Sequence, residues 1–408
     1  MTLPDLSPPG EDVATLCERT LRGSWVTGLR ADVPFAYTRP SPGRYPWQWY
    51  WDSCFAAIVW RRFDRLRARL ELETLLSAAR ADGFIGHTIF WHAPVTRTRR
   101  VYNNVLSRND PMTSTIAPPL LAWAWRIAVG DPASEPAVVA HHDQVQSDRD
   151  LEGDGLLWLL QPDESGLDAS PQFDPIWGAR AQGTLGFPLL VARNRRLGFR
   201  IRAVREAGGP LVCEVLTNVL HGLSQLALGR RSITAALVDR LYDESRGVFV
   251  LERWPSPARP IPLTWSALAP LALPDLPEAI GRRLVEEHLL DPARFWSAVA
   301  PPSVASDEPS FSLRERFWGL RRYWRGPTWV NAAWLVWLGL VRLGYKTEAS
   351  TLADGIVGAV RGAGLRECYN PRDGRGMGAR DFAWSALALE LAVPDPLAAS
   401  SHIVLPVS

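Results

Sequence analysis

Hydrophobic positions along the chain recur with a helical period, and they do so in two styles. Arg65–Arg80 (RLRARLELETLLSAAR) and Pro277–Leu290 (PEAIGRRLVEEHLL) carry one apolar stripe and one charged face, the pattern of surface helices. Pro118–Val129, Thr328–Val341 and Phe382–Ala392 are apolar nearly all round, so helices there must be enclosed on every side. The same period predicts helices over Asp12–Leu21, Asp52–Arg62, Glu135–Gln146, Leu185–Leu197, Val212–Leu228, Ile233–Tyr242 and Thr347–Val360. Strand signals are few and short, with Gly247–Glu252 (GVFVLE) the clearest. About a dozen helices, some enclosed and some amphipathic, predict two concentric rings, an all-α (α/α)6 toroid. No repeat at a fixed period favours an open helical solenoid.

The segments between these helices are long: Pro40–Trp51, Gly83–Pro111, Pro162–Gly178, Pro301–Pro327 and Arg366–Arg380. They carry Trp, Tyr, Asp and Gly rather than low-complexity Ser or Lys, so they are expected to be ordered and gathered at one mouth of the toroid. No linker divides the chain, and residues 1–408 are read as one catalytic domain.

Composition narrows the function classes. A formal net charge of +2 provides no general field for nucleic acid or an anionic membrane, and Arg97, Arg99 and Arg100 read as a solvated face. No apolar run approaches the roughly 20 residues of a membrane span. The four cysteines (Cys17, Cys54, Cys213, Cys368) show no CxxC spacing, and Met1–Gly10 lacks a basic start and an apolar core. Together these predict a reduced, cytoplasmic protein; a homo-oligomer is left open. The 19 Trp set against 3 Met stand out. A Trp face suits the apolar C–H face of a sugar ring, although many of these residues are expected to be plain core.

Two loops carry candidate chemistry. In Gln161–Pro175 (QPDESGLDASPQFDP), Asp163, Glu164, Asp168 and Asp174 crowd together, and crowded acids near apolar surface hold protons to higher pH, as a general acid requires. In Gly364–Arg380, Glu367 stands between Arg366 and Cys368 before a Gly-rich turn, where a neighbouring Arg would keep it ionised as a base. An acidic surface loop and an exposed Glu are the plainer readings of each alone. Asp150, Glu152, Asp154 and Gly155 partly match a calcium loop, but Gln161 stands where its bidentate Glu belongs, so a turn is expected and no metal. His141-His142 is expected on the exposed side of a helix. His87 and His92, beside Trp91, are candidate contacts to sugar hydroxyls.

At these residues the chain resembles glycoside hydrolase family 63, in particular its compact bacterial mannosylglycerate and glucosylglycerate hydrolases, and more distantly the trehalases. The resemblance runs from Tyr45 to Trp384. Its pieces are YPWQWYWDSCF (Tyr45–Phe55), ESGLDASPQFD (Glu164–Asp174), YWRGPTWVNAAWL (Tyr323–Leu335) and RECYNPRDGRGMGARDFAWSAL (Arg366–Leu387). One departure is clear: the family's Gln-Pro-Pro reads Ala117-Pro118-Pro119 here, which removes an amide from the expected pocket edge.

The resemblance implies cofactor-free inverting hydrolysis of a small α-glycoside, with Asp168 as general acid and Glu367 as general base. It implies that Asp52 grips glycone hydroxyls, with Tyr45, Trp51 and Trp91 as walls. His92, Trp177, Tyr323, Trp324, Gly326 and Trp384 complete the expected substrate site, and Arg180 or Arg325 would meet a glycerate carboxylate. A trehalase-like action on a neutral disaccharide is the alternative. A sugar epimerase or isomerase would want a placed pair of His bases, and a non-catalytic sugar-binding module would have no need of both acids.

Overall fold

The computed structural model describes residues 12–92, 105–106, 111–256, 261–317 and 320–393. The basic cluster Arg97, Arg99 and Arg100 and the segment Met1–Gly10 lie outside them. The main helices begin with α1 (Val13–Ser24), α2 (Tyr50–Trp60), α3 (Arg65–Ser77), α4 (Leu121–Ala128), α5 (Pro136–Arg149) and α6 (Phe187–Arg196). They continue with α7 (Ile201–Glu206), α8 (Val215–Ala227), α9 (Thr234–Leu241), α10 (Glu278–Leu284), α11 (Val330–Arg342), α12 (Lys346–Ala363) and α13 (Ala388–Ala392). Ends are set by local chemistry. Asp64 opens α3 by accepting from the Arg67 N–H at 3.1 Å, and Glu214 opens α8 by accepting from the Thr217 N–H at 2.7 Å. Gly364, at φ 72°, closes α12 in a conformation that favours glycine.

Every residue of α2 and α8 is buried, as is Val330–Leu340 of α11. Two further enclosed segments wind as 3-10 helix: Trp265–Ala272, which contains Pro270, and Ala383–Leu387, which runs into α13. These enclosed segments touch in sequence. α2 packs on α4, α4 on α8, α8 on Trp265–Ala272, that segment on α11, and α11 on Ala383–Leu387, which returns to α2. Amphipathic helices back them: α3 on α2, α5 on α4, α9 on α8, α10 on Trp265–Ala272, α12 on α11 and α1 on Ala383–Leu387. The split between enclosed and striped helices in the sequence therefore reports which neighbours each helix has.

Some expectations need correction. His141 and His142 are buried, not exposed: His141 bridges the Tyr50 hydroxyl at 2.8 Å and the Gly83 carbonyl at 3.0 Å, while His142 Nε2 accepts from the Ala122 N–H at 3.0 Å. Burial pushes His141 down to about 4, so it stays neutral. Leu211–Cys213 is a strand, paired with Trp158–Leu159 and Glu252–Trp254, so α8 starts later than its apolar run suggests. Trp25–Arg30 and Val33–Thr38 form an antiparallel hairpin where no strand was expected. Its turn places Ala31 and Asp32 at φ 46° and 66°, a geometry usually announced by Asn-Gly. The stretch Asp150–Gly155 is a turn, with Asp150 accepting from Gly153 N–H and Gly155 N–H and Asp154 paired to Arg240.

Candidate active site

Residues from all five long segments, or directly beside them, converge on one cavity of about 320 Å³. Pro40, Tyr45, Trp49, Trp51 and Asp52 come from the first, His87 from the second, Asp163–Ala169 in part from the third, and Tyr323 from the fourth. Phe382 and Trp384 follow the fifth. The first turn of α2 carries Trp51 and Asp52, and this helix is locked from all sides, so both side chains stand on a rigid floor.

The Asp168 loop is fastened from behind. Glu164 accepts two bonds from the Arg149 guanidinium, at 2.8 and 2.9 Å, and further bonds from Leu160 N–H at 2.8 Å and Ile116 N–H at 3.2 Å. Glu164 and Arg149 are both buried, so this ion pair is shielded from water and multiply hydrogen-bonded. Gly166, at φ 71°, brings the loop against the Trp51 ring; a Cβ there would stand 2.7 Å from it. Ala169 holds φ 58°, a conformation that costs a non-glycine residue roughly 1 kcal/mol or more, directly after Asp168. The Gln182 amide donates to Asp168 Oδ2 at 3.1 Å.

Glu367 sits on a hairpin of Arg366–Tyr369 and Gly376–Arg380, fully buried just behind the cavity wall. Its Oε1 accepts from the hydroxyls of Tyr45, at 2.7 Å, and Tyr323. Its Oε2 accepts from Ala379 N–H at 2.7 Å and lies 3.7 Å from Arg44. Arg44 is a cation beside it, and Arg366 donates to the Gly378 carbonyl. Tyr45 and Tyr323 both line the cavity, and Tyr323 also lines, with Glu367, a smaller hollow of about 70 Å³.

Acids dominate the electrostatics. Burial first, then the charge of Glu367, pushes Asp52 well above the carboxylate range; Glu71 and Asp168 add to it. Beneath α2, Glu71 is buried and accepts from the Thr38 N–H at 2.7 Å and from the hydroxyls of Thr38 and Ser53. Burial lifts it to about 8 against these bonds. The folded protein therefore holds a proton here that the unfolded chain releases near its ordinary value of 4.5. That contribution to stability is complete below the unfolded value and is lost as pH rises through about 8. Glu71→Gln is expected to flatten the fall in stability between about pH 5 and 8, read by urea unfolding of both proteins. Equal pH slopes would refute the assignment.

Of the residues named from sequence, Asp163, Asp168, Tyr45, Trp51, Asp52, His87, Tyr323 and Trp384 line the cavity, with Glu367 in the hollow beside it. Trp324 is buried in a stack, 3.9 Å from the Trp329 centroid and 5.9 Å from Trp265. Trp91 is buried and donates to Gln48 at 2.6 Å, and His92 packs on Phe35; neither is on the cavity wall. Trp177 packs on Phe173, Arg180 is exposed, and Arg325 pairs with Asp174 at 2.8 Å, all outside the lining. Gly326 allows a close backbone approach, since a Cβ would meet the Ser312 carbonyl at 2.6 Å. Gln182, Thr184 and Phe187 line the cavity without having been singled out; Gln182 and Thr184 precede the periodic stretch that begins at Leu185, and no charged motif marks any of the three. No group of three metal-ligating side chains occurs among the described residues.

The family model for the mannosylglycerate hydrolase MGH1-like glycoside hydrolase domain matches residues 45–228 and 221–385. The mannosylglycerate hydrolase of Rubrobacter radiotolerans is 27% identical over 455 residues, covering 94% of this chain and 97% of its own. The glucosylglycerate hydrolase of Mycolicibacterium hassiacum is 25% identical, covering 88% and 95%. Among solved structures, the GH63 mannosylglycerate hydrolase from Thermus thermophilus, in complex with Tris and D-glycerate, matches with a TM-score of 0.76. At 23% identity over 93% of this chain and 99% of its own, it shares the fold.

Proposed function

The chain belongs to the MGH1-like glycoside hydrolases and is a glycoside hydrolase, and from that premise we propose that it cleaves a small α-linked glycosylglycerate with inversion. The observation that carries this reading is two carboxyls at one cavity. Asp168 is on the cavity wall, and Glu367 lies behind the phenols of Tyr45 and Tyr323. Asp168 gives its proton to the glycosidic oxygen as the bond breaks. Glu367 takes a proton from the water that attacks the anomeric carbon on the other face. Inverting enzymes keep about 6.5–9.5 Å between the two carboxyls to admit that water. The two phenols and the Ala379 N–H donate to Glu367 and fix its direction. Asp52 binds the hydroxyls of the glycone against Trp51.

The closed order of contacts among the enclosed helices supports a single catalytic domain with the (α/α)6 double ring. Four buried cysteines without a disulfide suit a reducing cytoplasm, where we place the enzyme. The relatives' names supply the substrate class, mannosyl- or glucosylglycerate. A neutral α-disaccharide is the second reading, favoured by one observation: among the described residues lining the cavity none is Lys or Arg. Initial rates on glucosylglycerate, mannosylglycerate and trehalose decide between them. The highest kcat/KM is expected on one of the two glycosylglycerates. Preference for trehalose would establish the second reading, and turnover of none would overturn both.

A further inference from the structure

Gln182 lines the sugar cavity, and none of the hydrolytic steps above uses it. It stands on a turn between the short 3-10 segment Gly178–Arg180 and α6. The Ala181 N–H donates to the Gly178 carbonyl at 2.9 Å, and the Thr184 hydroxyl donates to the Ala181 carbonyl at 2.6 Å. Gly183, at φ 82°, follows directly in the left-handed region. Gly186 packs so closely on the turn that a Cβ would stand 1.9 Å from the Ala179 carbonyl oxygen. At the end of the turn Phe187 is buried and lines the same cavity. A backbone pinned at this many points leaves the Gln182 side chain a narrow choice of directions.

The direction it takes is towards Asp168. Its amide N–H donates to Asp168 Oδ2 at 3.1 Å, while its own carbonyl oxygen is buried and accepts no hydrogen bond from any described residue. A buried amide oxygen without a donor costs about 1–3 kcal/mol, so one end of the amide is given up while the other is kept on the carboxyl. The kind of group matters as well. A Lys or Arg at this place would favour the charged carboxylate and deplete the acid, whereas the amide is neutral. Its N–H is satisfied by Oδ2 in the carboxylate and in the acid alike, as long as the proton is carried on Oδ1.

We propose that Gln182 is the positioning residue of the general acid: by holding Oδ2 it fixes the plane of the Asp168 carboxyl and assigns the transferable proton to Oδ1. The inference rests on the reading of Asp168 as general acid. Gln182 exchanges no proton and acts through Asp168. In a turnover the O–H bond at Oδ1 breaks as its proton passes to the glycosidic oxygen, whose bond to the anomeric carbon breaks in the same step. The new charge on Asp168 spreads over both oxygens and meets the amide dipole already in place at Oδ2. The water's proton goes to Glu367 and then to solvent, and Asp168 takes one proton back from solvent.

The test is Gln182→Met, which keeps the length of the side chain and removes the amide. It is assayed on the faster-turned glycosylglycerate and on the matching α-glycosyl fluoride. Misplacing the acid is expected to lower kcat on the glycoside by about ten- to a hundredfold. The loss on the fluoride, which needs no proton, should stay within about threefold. Equal losses on both substrates overturn the proposal, because a merely structural change damages the site for either one. Gln182→Leu repeats the comparison should Met disturb the turn. A double-mutant cycle on the glycoside then shows whether the effect passes through the acid. In the Asp168→Asn background Gln182→Met should cost less than about twofold, and an undiminished loss there overturns the proposal. Asp168→Asn alone separates this inference from the scheme beneath it. Full activity of that variant removes the general acid, and the role of Gln182 with it. An inactive Asp168→Asn, with equal losses for Gln182→Met on glycoside and fluoride, removes only the positioning role.

Discussion

Asp168→Asn and Glu367→Gln should each lower kcat on a natural glycoside by about a thousandfold or more, yet only the first should recover on an activated substrate. The asymmetry follows from what each group is asked to do. An alkoxide leaving group needs a proton as the bond breaks, and in the proposed scheme Asp168, on the cavity wall, gives it. Fluoride needs none, so Asp168→Asn should hydrolyse the matching α-glycosyl fluoride within about tenfold of the wild-type rate. Glu367→Gln should remain slow on both, because the attacking water still lacks a base. Fluoride release followed over time checks this, and equal losses on the fluoride would remove the distinction between the two roles. Both variants keep Tyr45, Tyr323, Trp51 and Asp52, so substrate binding should survive in each.

The second large effect lies outside the cavity. Glu164→Ala should destabilise the folded protein by about 3–5 kcal/mol, because it strands the Arg149 guanidinium in the interior and orphans the N–H groups of Leu160 and Ile116. Urea unfolding measures this directly. The loss should exceed that of any exposed ion pair, such as Arg69 with Glu73, whose removal should cost no more than about 1 kcal/mol. Because Glu164 fastens the turn that leads into Asp168, kcat in the surviving folded fraction should fall as well. A variant as stable as the wild type would mean that the buried pair contributes nothing net.

Helical structure was legible where hydrophobic periodicity was unbroken. α3, α11 and α12 stand within about three residues of where their apolar faces place them. What escaped has physical reasons. The hairpin from Trp25 to Thr38 turns on Ala31 and Asp32, residues that rarely take positive φ. Trp265–Ala272 contains Pro270 and is too short and uniformly apolar for a period to show. His141 and His142 looked solvated because polar neighbours surround them in sequence, whereas their partners, Tyr50, Gly83 and Ala122, come from other elements.

The site divides in the same way. Asp168 and Glu367 stood out because each sits in a loop whose acids are readable from residue type, and Trp51 and Asp52 through the family resemblance. Gln182, Thr184 and Phe187 were not, since only the folding of their segment over the Asp168 loop brings them to the wall. The sequence placed an Arg beside Glu367 in the chain, and the fold adds Arg44 from another segment. Residue identity carried the acids; the fold chose their cations.

The most direct measurement follows the anomeric proton of the sugar by 1H NMR in the first minutes of hydrolysis, before mutarotation mixes the two forms. Single displacement, with water activated at Glu367 while Asp168 protonates the opposite face, predicts that an α-glycoside releases the β-anomer first. Release of the α-anomer first would contradict it and require a covalent or front-face path that this arrangement of carboxyls does not describe.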